Sequence, residues 1–454
     1  MIMKRIVFFL VLALSAISCK KYLEAKPDSS VTTPQTIGDL QALLDRSDYM
    51  NQKSPAFDEA SADDYFLPQT GYNAVGENGR KAYVWQLDEY EWVNDWANAY
   101  VVVYNANVCL EEIEKIERTK KNAAEWDNVK GSALFFRAWT FLKLAWMYSK
   151  AYDPETAAQD EGIILRLGTD FNVPSVRAST GQTYEQIIRD LEAAVPLLPG
   201  LSTHVLRPSR AAAFALLART YLSMRRYEQA YDYADQCLKI KNDLMDYNGI
   251  SATASSPFQS FNKEVIFHAD ITSYTFTNIS PSNARADTLL YRSYDNDDLR
   301  KQVFFTTTGG YQQFKGSYVS RTLASRPLFT GIATDEMMLV RAECRARAGD
   351  KENALADLNT LMKNRWKNTV VYRDITAENA EGALSIILKE RRKELLFRGL
   401  RWMDIKRLNK EGRGIELKRN VNGQEYRLAP NSNRFALPLP ADVVRITGVA
   451  QNPA

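Results

Sequence analysis

Few residues in this chain could carry acid–base or metal chemistry, and their spacing does not favour it. Only two histidines occur, His204 and His268. They sit in Thr203-His204-Val205 and Phe267-His268-Ala269, with no metal ligands at short spacing beside either, so inventory alone disfavours a zinc site or a histidine-dependent triad. Asp63-Asp64 and Asp297-Asp298 could act as a glycosidase pair only at a defined separation, and they read as solvated loop acids. The run from Asp295 to Asp298 is oxygen-rich, but it lacks the Gly and the closing Glu of an EF-hand loop. A calcium contact there rests on oxygen count alone. In residues 390–407, opposite charges fall three apart, Glu390 with Lys393 and Arg391 with Glu394. Ion pairing and packing account for that run better than catalysis does. No catalytic residue, metal site or cofactor is assigned, and the chain is expected not to be an enzyme.

What the chain does hold in quantity is flat rings, with 11% of its residues aromatic. A sugar offers C–H groups on one face and hydroxyls around its edge. Aromatic rings match the first, and Asn, Asp and Arg match the second. The densest stretch, residues 83–100 (YVWQLDEYEWVNDWANAY), carries Trp85, Trp92 and Trp96 among Asn and Asp. Trp96 begins a helix and is the one of the three most open to inward packing. Further along, Tyr274, Tyr311 and Phe314 are candidates, the last two following the flexible Gly309-Gly310. Tyr72 and Arg80 lie in or beside the Gly/Asn-rich loop 70–79. These eight residues are the candidate ligand contacts.

The elements that must position them read as helices. The chain has 454 residues, 45% hydrophobic and 25% charged, which are globular proportions. A net charge of +3 and no dominant basic stretch give no electrostatic reason to bind nucleic acid. Residues 209–240 show apolar positions at helical spacing, Phe214, Leu217, Ala218 and Tyr221, then Ala230, Ala234 and Cys237, split by a turn at Arg225-Arg226. The register matches the tetratricopeptide pattern, without its closing proline. Residues 335–365 repeat the form around Gly349-Asp350. Helices are also expected over 96–116, 129–148, 184–198 and 380–397. Such pairs bury their apolar faces only by stacking. Residues 242–333, rich in Ser, Thr, Asn, Gly and aromatics, read as an irregular second lobe. Cys109, Cys237 and Cys344 sit beside apolar neighbours and read as buried core thiols.

The start of the chain speaks to location. Residues 1–5 are basic and residues 6–18 (IVFFLVLALSAIS) apolar, too short to span a bilayer, which marks a secretory signal. Ala16-Ile17-Ser18-Cys19 resembles a bacterial lipobox, with Ala16 where Leu is usual, and makes Cys19 the expected lipidation site.

Five separated segments stand out in order along the chain: Cys19-Lys20-Lys21-Tyr22-Leu23-Glu24 with Pro27; residues 130–139 (KGSALFFRAW) running on to Leu144 and Tyr148; residues 339–350 (LVRAECRARAGD) with 354–359; Glu390-Arg391-Arg392-Lys393-Glu394-Leu395 through Gly399, Arg401-Trp402, Asp404 and Arg407; and residues 435–440 (FALPLP) with Gln451-Asn452-Pro453. Together they resemble the SusD/RagB family of outer-membrane lipoproteins. Arg398 stands where the family usually has an acid. The resemblance implies a mainly α protein, a tetratricopeptide-like helical-pair scaffold with a loop-rich irregular variable lobe. It divides the chain into a signal peptide (1–18), an anchor and loop segment (19–95), a first scaffold part (96–241), the variable lobe (242–333) and a second scaffold part with the closing segment (334–454). It implies a non-catalytic lipoprotein, anchored in the outer membrane and exposed at the cell surface. There it would bind a glycan or similar nutrient and deliver it to a SusC-like TonB-dependent transporter. The competing expectation is a protein-interaction scaffold of an outer-membrane complex without its own small ligand.

Overall fold

A computed structural model describes residues 34–91, 94–271, 277–320 and 327–454. The signal segment, Cys19, Trp92 and Tyr274 lie outside the described residues. An opening segment holds α1 (Ile37–Leu44), α2 (Phe57–Ser61), β1 (Tyr65–Phe66), α3 (Gln69–Ala74) and α4 (Glu77–Tyr83). There follow α5 (Asp95–Ile113), α6 (Ala123–Tyr148), a hairpin of β2 (Glu161–Ile164) and β3 (Arg177–Ser179), α7 (Thr180–Ala194), α8 (Arg210–Ser223) and α9 (Tyr227–Ile240). After an irregular stretch come α10 (Thr334–Arg347), α11 (Lys351–Lys363), α12 (Ala380–Glu394) and α13 (Arg401–Asn409).

Local chemistry sets these helices. Asn94, Ser179, Ser209, Asp350 and Asn379 each accept a hydrogen bond from a backbone N–H in the first turn of α5, α7, α8, α11 and α12, groups that otherwise lack a partner. Ser179 and Gln182 complete a reciprocal capping box. The α8–α9 turn places Arg225 in the left-handed region (φ +62°), and Gly349 (φ +86°) does the same between α10 and α11. Each helix from α5 to α11 packs on the next, and α9 meets α10 although the whole irregular stretch separates them in sequence. Small residues allow the approach: Ala211, Ala212, Ala213, Ala215, Ala218, Ala230 and Ala234 are fully buried. From Gly131 to Tyr148, α6 is buried on every side, as befits a helix surrounded by neighbours. The late helix ends at Glu394, three residues earlier than its pattern predicts, because Phe397 (φ +57°) and Gly399 (φ +66°) turn the chain.

The irregular stretch contributes two-stranded pairs. β4 (Val265–Phe267) pairs with β10 (Ile332–Ala333), and β5 (Asp270–Ile271) with β9 (Leu328–Phe329). β1 pairs with β6 (Arg285–Ala286), and β7 (Phe305–Thr308) with β8 (Tyr311–Phe314). A late hairpin joins β11 (Leu417–Val421) to β12 (Gln424–Leu428). Strands this short gain stability only from what they cover. Here that is a second core rich in rings, among them Tyr65, Tyr83, Tyr247, Phe258, Phe304 and Tyr318.

Of the acids that read as solvated, Asp64 and Asp298 are buried, Asp63 and Asp297 are half-buried, and all four are paired. Asp63 holds Arg401 at 2.6 Å, and Asp64 holds Arg392 at 2.9 Å. Asp298 is fully buried against Arg300 at 2.7 Å, and Asp297 meets Lys367 at 3.1 Å. The oxygens of Asp297 and Asp298 thus face cations of the chain itself, while exposed Asp295 accepts from the Asp297 backbone N–H. Of the two pairs expected on α12, Glu390–Lys393 forms at 2.7 Å. Arg391 turns instead to Asp404 at 2.8 Å, while Glu394 lies between Arg365 Nε (2.8 Å) and Arg300 Nη1 (2.9 Å). Burial opposes the Glu394 charge, but the guanidiniums of Arg365 and Arg300 outweigh it and hold the carboxyl below its usual range. Cys109, Cys237 and Cys344 are buried free thiols, and burial pushes Cys109 up to about 12.

Candidate functional site

Three of the candidate rings turn inward. Trp85 is 6% exposed, sits in the left-handed region (φ +58°), and donates from Nε1 to the Ser61 carbonyl at 2.9 Å. Its ring stands beside the Arg419 guanidinium, which also faces Tyr65 and Tyr83. Trp96, 6% exposed, packs on Tyr100 and Tyr148 with centroids 4.9 and 5.1 Å away. It faces the core because the Asn94 cap starts α5 one residue before it. Phe314, 8% exposed, packs on Phe397 at 4.9 Å. Period-two alternation explains that last correction: positions 311 and 314 lie on opposite faces of one strand, so a displayed Tyr311 requires a buried Phe314.

Tyr311 is the displayed member, 44% exposed at the tip of the β7–β8 hairpin. Its ring meets Phe66 edge-on at 5.1 Å. Phe66 is absent from the sequence-based set, although the same alternation finds it: on β1, Tyr65 is buried and Phe66 faces the other way. Tyr72 and Arg80 are half-buried on the neighbouring α3 and α4. The Arg80 guanidinium lies 5.9 Å from the Tyr72 ring centre and gives one N–H to the Val75 carbonyl at 2.8 Å, leaving donors over.

One segment, residues 281–286, holds these parts together. Its end pairs with β1 and packs beside β8. Gln313 donates to the Pro281 carbonyl. A Cβ at Gly71 would come 2.5 Å from the Asn283 oxygen, so glycine alone lets α3 lie this close. Nearby, Asn278 donates to the Gly79 carbonyl at 2.8 Å and seats α4. The result is a ledge of rings, Phe66 and Tyr311 beside Tyr72 and Arg80. Apart from the ledge, none of whose four residues lines it, a cavity of about 370 Å³ opens between Trp85, Leu87, Asp88, Arg434, Pro438 and Val444. Trp85 thus forms a wall of that cavity and not an exposed platform. Among the described residues, no group of three His, Cys, Asp or Glu is placed to hold a metal ion.

The stacked helices with a ring-bearing lobe define a SusD-type binding-protein fold. Residues 21–222 match a family model described as starch-binding associating with outer membrane, and residues 305–438 match the SusD family model. The chain belongs to the SusD/RagB family. SusD-like protein P2 of Formosa agariphila is 24% identical, over 98% of this chain and 98% of that one. Among solved structures, a putative sugar binding protein from Bacteroides vulgatus has a TM-score of 0.76 at 20% identity, covering 93% of this chain and all of that one. A laminarin binding SusD-like protein has a TM-score of 0.66 at 18% identity, covering 91% of this chain and 98% of that one. The family is associated with the outer membrane. Among the described residues, no helix is long and apolar enough to cross a membrane.

Proposed function

We propose that this chain is a non-catalytic glycan-binding lipoprotein of the outer membrane, held by a lipid on Cys19, displayed at the cell surface, and passing its ligand to a SusC-like TonB-dependent transporter. The observation that carries the reading is the ledge, where exposed Tyr311 and half-buried Phe66 offer apolar faces while Arg80 supplies hydrogen-bond donors. The names of the family model and of the laminarin- and sugar-binding neighbours support the same ligand class. Acid–base catalysis gains no support, because Asp63, Asp64, Asp297, Asp298, Glu390 and Glu394 are each paired with an arginine or a lysine. Trp92 and Tyr274 are kept as further contacts, while Trp85, Trp96 and Phe314 support the site from within.

A glycan array followed by titration calorimetry tests this with the chain from residue 20 onward. Wild type should bind at least one glycan, and Y311A and R80A should each weaken it about tenfold, the equivalent of about 1.4 kcal/mol. Wild-type affinity in both variants would discard the ledge. A chain that binds no glycan yet co-purifies with a barrel would replace the reading with the scaffold one. Release of reducing ends would overturn the non-catalytic part.

A further inference from the structure

Another pair of rings, both exposed, lies on elements other than those that form the ledge. Tyr104 on α5 is 39% exposed, and Phe171, in the loop between β2 and β3, is 77% exposed. The two rings stack at 5.3 Å with planes 25° apart. Water gives an isolated Phe no reason to hold such a pose, yet the loop that carries it is tied down along its length. Asn107 donates to the carbonyls of Arg166 (2.9 Å) and Gly168 (3.2 Å). The Asn107 amide is itself oriented by Arg137, whose guanidinium donates to it at 2.9 Å and holds Asp190 through two bonds, all of it buried. Glu111 accepts from the Thr169 N–H (2.8 Å) and hydroxyl (2.5 Å). Arg166 ties the far side to the Val173 carbonyl (2.6 Å) and the Ser175 hydroxyl (2.8 Å). A buried ion pair thus fixes an amide, the amide fixes a loop, and the loop holds a ring in the open. A contact surface ordered before the ligand arrives saves the cost of ordering it on binding.

Between the loop and α5 lies a cleft of about 150 Å³, with Tyr100, Val103 and Asn107 at its base and Thr169 and Asp170 at its rim. That is about half the low end of pockets that enclose a whole drug-sized ligand, roughly 300 Å³, so it suits one unit of a larger molecule. The charged groups that line it are largely spent on building the loop: Arg166 as above, and Asp170 Oδ1 on Asn172. A ring stack, a shallow cleft and a rim of hydroxyl and carboxylate oxygens match a neutral sugar ring.

We propose that the Tyr104–Phe171 cleft is a second glycan-contact position, separate from the Phe66–Tyr311 ledge, taking a single sugar unit of an oligosaccharide. This rests on the glycan-binding reading above. Titration of wild type with maltohexaose, laminarihexaose and each array glycan it retains should then show two positions. The Y104S/F171S chain keeps its fold, as its thermal midpoint will show, and loses one position by at least tenfold while the other is unchanged. F171W retains both, since it restores a ring. F66S/Y311S loses only the first. Full wild-type stoichiometry and affinity in Y104S/F171S overturn this inference and leave the proposed function standing. Failure of wild type to bind any glycan overturns the proposed function and this inference together. Val101, Leu167, Val173 and Val176 are also exposed around the stack. If Y104S/F171S keeps both sugar positions but no longer retains a barrel partner, the face is a protein contact and the inference fails.

Discussion

The helical array and the loop-rich lobe satisfy their buried backbone in different ways. Along α5 to α11, carbonyls and N–H groups are consumed inside the helices, α5, α7, α8 and α11 are capped at their N-termini, and alanines let neighbours close up. Among its described residues the lobe has only short ladders, so side chains take the place of regular partners. Arg419 donates to the Ala62 and Tyr65 carbonyls, and Lys315 to those of Ala252 and Ala254. Asn51 reaches the Leu206 and His268 carbonyls, and Arg365 the Met245 carbonyl. An irregular chain can be buried, but its orphaned acceptors then draw cations inward, and the cations draw carboxylates. Rings fill much of the lobe's own core. The same abundance of rings leaves some at the surface, where they can act.

The largest effect should come from the junction of the two regions. Glu394 on α12 binds Arg300 and Arg365, and Arg365 also binds Glu264 beside β4. Removing one charge from this buried set should cost about 3–5 kcal/mol. E394Q should therefore lower the urea midpoint sharply while folded protein keeps wild-type glycan affinity. An unchanged midpoint with lost binding would mean that Glu394 serves the ligand.

Next in size is an acid sensitivity seated where α13 meets the array. Glu343 on α10 is buried. Burial opposes its charge, but Arg407 on α13, at 2.6 Å, brings the carboxyl down to about 2. A folded-state value below the unfolded one stabilises above the unfolded value and is lost as pH falls through the folded value. This pair should contribute on the order of 3 kcal/mol at pH 5 and lose it between about pH 4.5 and 2. Urea midpoints measured down that range should fall more steeply for wild type than for E343Q. Parallel curves would refute the assignment.

The smallest effect should be at the ledge. Tyr311 is held up by the lobe and holds up little in return, so Y311S should change stability by no more than about 0.5 kcal/mol while weakening glycan binding. A larger loss would make Tyr311 a structural ring, and the contrast between a working surface and a supporting core would blur.

What the sequence made legible follows the same division. Helices α5 to α12 could be read because period and caps are local properties, and the small residues of α8 and α9 announced close packing. The partners of Arg391 and Glu394 could not be read: spacing on α12 offers each to the other, but Asp404, Arg300 and Arg365 arrive from distant parts of the chain. Counting tryptophans misjudged Trp85 and Trp96, because size says nothing about which way a ring faces. Alternation along β1 and β8 would have sorted Phe66 and Tyr311 from Tyr65 and Phe314, had those strands been recognised. The Phe66–Tyr311 contact itself joins residues 245 positions apart, beyond any local pattern.

The three enclosed thiols have a practical corollary. Cys109, Cys237 and Cys344 lie on α5, α9 and α10, one near each end of the array and one between. In an oxidising compartment they offer no partner for stray cross-links while the helices stay closed, and each becomes alkylatable only when its own neighbours part. Pulse labelling with iodoacetamide under rising denaturant would therefore follow the opening of the array helix by helix, with the native chain as its own reporter.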